Sequence, residues 1–510
     1  MLHVNMLSGE ELAKIPVDDS QDVRSLKKRL TQLHGLPPRF RQRLLLDGET
    51  LEDTAKLDCP TSLELVLLTF ADVSEEQADD FVLAAAQGST SKVESMLQLP
   101  QDPEVPDSRG FTALDMACEG GHVEVARLLL EAGFDRDLAN EEGTTALMMV
   151  SRMGHVELVR LLLEVGAEKD LQDYCGATAL MFASSSGHGE VVHLLLEDGV
   201  DTDVADHAGY TALMLATVHG QAQTARLLLQ NSAATDIADH HGYTALLIAS
   251  ERGLVEVVNL LLAARANTDK ASPHSCTPLI AASCRGHGEI VQLLLGASVD
   301  KDSADNEGRT ALMCLHECRS EFEIGHCVDQ DLEANDAVET ARLLLKAGAD
   351  KDLADKRGYT ALLYASARGL VEVVTLLLEA GASVDKASTD GHTALTEACF
   401  RRQVEIARLL LEVGADTDPG SHGGTSALMF ACQQGNVDLV RWLLEAEADT
   451  NLVDRDETTA LMMAAGGHDV EIVRLLLDAG ADKDLANRWG VTASMYAKQG
   501  RKCAIMNLLS

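Results

Sequence analysis

The chain has 510 residues, with 42 Lys+Arg against 81 Asp+Glu and a formal net charge of −39 at pH 7. One hydrophobic core does not grow to that length, so more than one folded part is expected. A field of that sign repels nucleic acid and anionic membranes, which excludes DNA and RNA binding, and it draws partners with basic segments. No run of ~18 apolar residues occurs, and the opening MLHVNMLSGEELAK lacks a basic stretch leading into an apolar one, so neither membrane insertion nor a secretory leader is expected. The eleven cysteines, an odd number, suit a reducing compartment, the cytoplasm or alternatively the nucleus.

Residues 1–70 carry 9 Lys+Arg and 11 Asp+Glu, leaving 33 against 70 for the rest. Two β-type segments flank Ser8-Gly9. A helix follows from about Asp22 to His34, with Val23, Leu26, Leu30 and Leu33 on one face and Gly35 as its stop. Pro37-Pro38 prevent its continuation. Arg43-Leu-Leu-Leu-Asp-Gly48, Leu51-Glu-Asp53 and a closing strand Ser62–Leu68 come next. In order and spacing these segments resemble ubiquitin, through Gly35-Leu-Pro-Pro38, Arg43-Leu44, Gly48 with Leu51-Glu-Asp53, and Leu65-Val-Leu67. The resemblance implies a small α+β β-grasp domain. Where ubiquitin ends in a free diglycine, this chain reads Leu67-Leu-Thr-Phe70 and continues, so the resemblance implies an integral domain and not a transferable tag. Ubiquitin is read through an apolar patch, and Leu7, Leu45 and Val66 hold the matching positions. Glu64 replaces the patch histidine and Glu49 a lysine, which alters the charge of the patch. The alternative is that these are ordinary strand residues.

Residues 71–78 read as a short polar linker, and 79–106 as a capping half-repeat built on Phe81, Val82, Ala84–Ala86, Val93 and Leu97. From Asp107 a phrase recurs every 33 residues, as in DSRGFTALDMACEGGHVEVARLLLEAGFDRDLA (107–139). A period of that length means stacked helix pairs, each unable to bury its apolar face without a neighbour. In each unit Gly-x-Thr-Ala-Leu opens a first helix, Gly-His separates it from a second, and Gly133 marks a left-handed stop. The phrase resembles the ankyrin repeat, with about 12 copies over 107–510. The fold class expected is therefore an α-solenoid of helix pairs with β-hairpin fingers, preceded by the ubiquitin-like domain. The resemblance further implies a concave face of fingers and first helices that grips protein partners.

Several positions depart from that family. Met148, Met181, Met214, Met313, Met429 and Met462 stand where it commonly has histidine. Methionine suits either an adaptable binding surface or packing between first helices. One hairpin position is aspartate in nearly every repeat (Asp137, Asp170, Asp203 and onward) where the family commonly has asparagine. The resulting Asp-x-Asp-x-x-Asp runs are either Ca²⁺ ligands or turn formers that bond their own backbone. Repeats from 206, 239 and 272 have Ser232, Arg265 and Ser298 in place of the stop glycine, and Ser275 replaces a finger glycine. The next repeat carries 17 extra residues, around 317–335. Poor neighbours in a one-dimensional stack open locally, so this stretch is expected to be the most mobile.

The insert also holds Cys314, His316, Cys318, His326 and Cys327, the one cluster with metal-ligand residue types, without the paired spacing of a structural zinc site. His122, His155, His188 and His287 precede second helices and are structural in the family pattern. Tyr210, Tyr243 and Tyr359, just after the finger glycine or its equivalent, are the candidate contact residues. No phosphate loop, dinucleotide fingerprint, Gly-x-Ser-x-Gly or HExxH occurs, so no catalytic residue and no cofactor is assigned. The expectation is a non-catalytic adaptor or scaffold. Its solenoid captures a protein while Leu7, Leu45 and Val66 dock to ubiquitin-reading machinery such as the proteasome, a deubiquitinase or a ligase. The alternatives are a plain scaffold with no ubiquitin-pathway link and, remotely, a metal-dependent function within 305–354.

Overall fold

A computed structural model describes every residue except 18–19, 70–72, 100–101, 316–333, 422, 468 and 501. It divides into two compact units, Met1–His240 and His241–Ser510.

The first unit begins with a five-stranded mixed sheet. Its strands are β1 (Leu2–Met6), β2 (Glu11–Ile15), β3 (Gln42–Leu46), β4 (Glu49–Thr50) and β5 (Ser62–Leu67), in the order β2-β1-β5-β3-β4. β1 runs parallel to β5, and every other pair is antiparallel. Helix α1 (Val23–His34) starts where the Asp22 side chain accepts from Ser25 N at 2.8 Å, and it ends at Gly35 with φ +63°. Its Val23, Leu26 and Leu30 meet Leu2, Val4, Leu44, Leu63 and Leu65 in one closed core. Strand alternation therefore sends the neighbours of those core residues to the sheet's other face.

Helices α2 (Glu75–Ala86) and α3 (Thr90–Leu97) follow, then α4 (Ala113–Glu119) and α5 (Val123–Glu131), and the pairing continues in both units. Each first helix starts on a threonine or serine side chain. Thr112 accepts from Asp115 N at 3.2 Å while the Asp115 carboxylate accepts from Thr112 N at 2.9 Å, a reciprocal cap. The histidine before the second helix reaches back one repeat. His122 Nε2 lies 2.9 Å from Ala86 O and His188 Nε2 3.0 Å from Arg152 O, so these histidines are structural as read from the sequence. The six methionines are all buried, which favours packing over display.

In the repeat that carries the insertion, residues 311–315 make turns, and the described chain resumes with the helix Ala334–Lys346. The stack keeps its register across the gap. Asp302 accepts from Asp350 N at 2.8 Å, the same bond that joins hairpins elsewhere 31 residues apart, here 48 apart.

Candidate interaction surfaces

On the N-terminal sheet, Leu44, Leu63 and Leu65 point into the core. Leu45 and Val66 consequently face outward, Leu45 opposite Glu64 and Val66 opposite Arg43 in the β3–β5 register. Met6 pairs with Leu65, so Leu7, 63% exposed, emerges beside Val66. The three residues share one open face, on the side of the sheet away from α1, with one charge of each sign beside them.

In the repeats, the hairpin carboxylates are committed to backbone amides. The first aspartate of a finger closes its turn. Asp173 Oδ1 accepts from Cys175 N and Ala177 N at 2.9 and 2.8 Å, and Asp355 accepts from Arg357 N and Tyr359 N in the same way. The aspartate at the recurring position ties its hairpin to the next. Asp137 accepts from Glu168 N at 2.8 Å, Asp352 from Ser383 N at 2.7 Å and Asp418 from Asp449 N at 2.9 Å. Asn451 does the same for Asp482 N at 2.8 Å, so the bond needs an oxygen and not a charge. These bonds favour the turn-forming reading of the Asp-x-Asp-x-x-Asp runs, and among the described residues no group of three His, Cys, Asp or Glu side chains is arranged to hold a metal. Of the Cys/His cluster, Cys314 is buried, and His316, Cys318, His326 and Cys327 lie outside the described residues.

The candidate tyrosines sit deeper than a fingertip. Tyr243 and Tyr359 are each 8% exposed and Tyr210 is half-buried, so little of the first two reaches the surface. The Tyr359 ring lies 5.3 Å from that of Tyr364, whose hydroxyl donates to Asp355 at 2.7 Å. Burial and the Asp355 carboxylate push the Tyr364 hydroxyl's pKa up, so it stays a donor. Beside Tyr243 lies an open hollow of about 150 Å³ whose apolar lining includes Leu247, Ile280 and Ala281. Its walls include the Arg285–Glu251 pair at 3.1 Å and the Arg309–Asp305 pair at 2.7 Å. More exposed aromatics are Tyr174 at 72% and Trp489 at 64%, both in fingers one or two residues past the turn-closing Asp173 and Asn487, and Phe400 at 48% at the end of a first helix. Nothing in the repeat phrase marks the two finger residues, because side chains at the finger tip vary freely.

Three buried thiols are held in the protonated form. Burial pushes Cys399 to about 12 and raises Cys118 and Cys432 as well, far from the lowered values of reactive thiolates.

The model of ankyrin repeats in three copies matches residues 81–173, 133–206, 180–272, 332–421 and 428–510, and the single-repeat model matches 274–305. This chain is an ankyrin-repeat protein. Human ankyrin repeat domain-containing protein 39 is 44% identical over 50 residues, 10% of this chain and 27% of that protein. The ankyrin repeat domain of Bcl-3, a member of the IkappaB protein family, is 28% identical in a match that covers 42% of this chain and 96% of that one, with a TM-score of 0.39. Ankyrin repeats are protein-binding modules, so the coarse activity of the stack is that of a protein-interaction scaffold. Among the described residues, no helix is long and apolar enough to cross a membrane.

Proposed function

We propose that this ankyrin-repeat protein is a non-catalytic adaptor in the cytosol or nucleus. Its repeats take a protein with basic segments, and its N-terminal domain, ubiquitin-like on our reading, offers Leu7, Leu45 and Val66 to ubiquitin-reading machinery. The observation that carries the second half is the open face on which those three side chains meet, on the side of the sheet away from α1. An apolar group of that kind is a usual place for a partner to dock. The strand order, with one helix across a mixed sheet, supports the ubiquitin-like reading. For the repeats, Tyr210, Tyr243 with its hollow, and Tyr359 are the contacts we assign, and the acidic hairpins set the sign of the partner's charge.

Affinity capture with the full chain, beside the same chain carrying Leu45→Ala and Val66→Ala, tests both halves. Proteasomal or ubiquitin-pathway proteins that bind the first and not the second support the adaptor. Identical captures free of such proteins reduce the function to the plain scaffold. Imaging of a tagged chain checks the compartment, and secretion would overturn it.

A further inference from the structure

We propose that the N-terminal sheet domain is a fixed cap, seated on the second helices of the first two repeat units by a charge cluster around Arg39. This inference does not depend on which partner reads the sheet.

Helix α1 carries Arg24, Lys27, Lys28 and Arg29 and no acid. After it the chain turns through Pro37-Pro38 into a single 3₁₀ turn, Arg39–Arg41. The Arg39 side chain is 1% exposed, and an isolated guanidinium does not survive such burial without carboxylates around it. Its Nη1 donates to Asp53 at 2.5 Å, and its plane lies 3.7 Å over the Phe40 ring. Asp53 also receives the Lys27 ammonium at 2.7 Å. Inside its own domain, then, one carboxylate serves two buried cations.

The missing anions come from the repeats. Glu94 on α3 accepts from Arg39 Nη2 at 3.4 Å, and Glu131 on α5 accepts from Arg39 Nε at 3.2 Å. Arg24 adds a second bond to Glu94, and Lys28 reaches Glu131 at 2.7 Å. Glu94 also breaks the repeat pattern: Arg127, Arg160 and Arg226 occupy its position in later second helices, at multiples of the 33-residue period. An arginine there would face Arg24 and Arg39.

Shape agrees with charge. Pro38 Cγ lies 2.5 Å from where a Cβ would stand on Gly133, whose φ is +91°. Gly166, one repeat on, has φ +78° and nothing within 4 Å of that point. Both glycines serve the turn, and Gly133 alone of the two must also stay bare to admit the proline. Because the contact uses α1 and the turn after it, the opposite sheet face with Leu7, Leu45 and Val66 stays open.

The test is a zero-length carbodiimide cross-link on the folded, monomeric full chain, which joins only carboxylates and amines already in contact. Wild type should yield a Lys28–Glu131 cross-linked peptide by mass spectrometry. Glu94→Arg should lower its yield by about tenfold, while Glu124→Arg, on an exposed part of α5, leaves it unchanged. Gly133→Ala should lower it and Gly166→Ala should not, with circular dichroism confirming that each variant folds. Loss in either Glu94→Arg or Gly133→Ala supports the cap. Absence of the cross-link in wild type, or yields unchanged in both variants, overturns it.

Discussion

The repeats that begin at Asp107, Asn140 and Asp173 end their second helices on Gly133, Gly166 and Gly199, with φ of +91°, +78° and +79°. Those that begin at Asp206, Asp239 and Ser272 end on Ser232, Arg265 and Ser298, at +65°, +63° and +64°. The backbone makes the same left-handed turn in both groups, although a residue with a Cβ is strained there by roughly 1–2 kcal/mol. Hydrogen bonds hold it: Ser232 N donates to Leu229 O and Ala233 N to Leu228 O, as Gly166 N and Ala167 N do for Leu163 O and Leu162 O. Packing against neighbours thus dictates the turn, and glycine only relieves it. Irregularity is also wider than the middle of the stack, for Glu447 makes the same turn at +62° and Glu457 takes a finger glycine's place at +59°.

The largest expected effect tests whether the strained repeats hold together as well as the regular ones. Leu162 and Leu261 are both fully buried in second helices, and truncation to alanine should cost each about 2–5 kcal/mol in guanidinium unfolding. A much smaller loss for Leu261→Ala would show that its repeats are already loosened. Next, Asp352→Ala should cost about 1–2 kcal/mol by leaving Ser383 N without its acceptor, while Asp352→Asn should stay within about 0.5 kcal/mol. Equal losses would mean that the charge, and not the inter-repeat bond, is what the hairpin needs.

Ser298→Gly and Arg265→Gly should each stabilise by about 1 kcal/mol, and Gly166→Ala should destabilise by a similar amount. No gain would show that these turns carry no strain. Amide exchange should be fastest in the strained repeats, and uniform exchange would remove the distinction.

The smallest effect is one of pH, at the cap. Burial would raise the Glu131 carboxyl, but Lys28 and Arg39 outweigh it and hold its pKa below the ordinary 4.5. Docking is then favoured above that value and lost as pH falls through the lowered pKa, because the docked form keeps the ionised carboxylate. The unfolding midpoint of wild type should drop more between pH 6 and about pH 3 than that of Glu131→Gln; identical curves would argue against a role for this carboxylate.

Much of this was legible in the residues. The 33-residue phrase implied helix pairs, Asp22 and Gly35 bracketed α1, and Ser8-Gly9 marked the first hairpin, because periodicity, caps and turns are local chemistry. The apolar Leu7, Leu45 and Val66 were visible too, although only strand register places them on one face. The aspartate ladder left both a cation and a turn-forming reading open, since a row of acids looks alike whether it binds a cation or its own backbone.

The sequence by itself determined which segments fold and with what period, since those follow from interactions a few residues apart. Only the tertiary structure decided that Glu94 and Glu131, drawn from two distant segments, meet the buried Arg39 in one cluster, and that Pro38 needs Gly133 bare. Charge pairing across such distances leaves no spacing to read. The surplus of cations on α1, and a glutamate at 94 where later second helices carry Arg127, Arg160 and Arg226, were its traces.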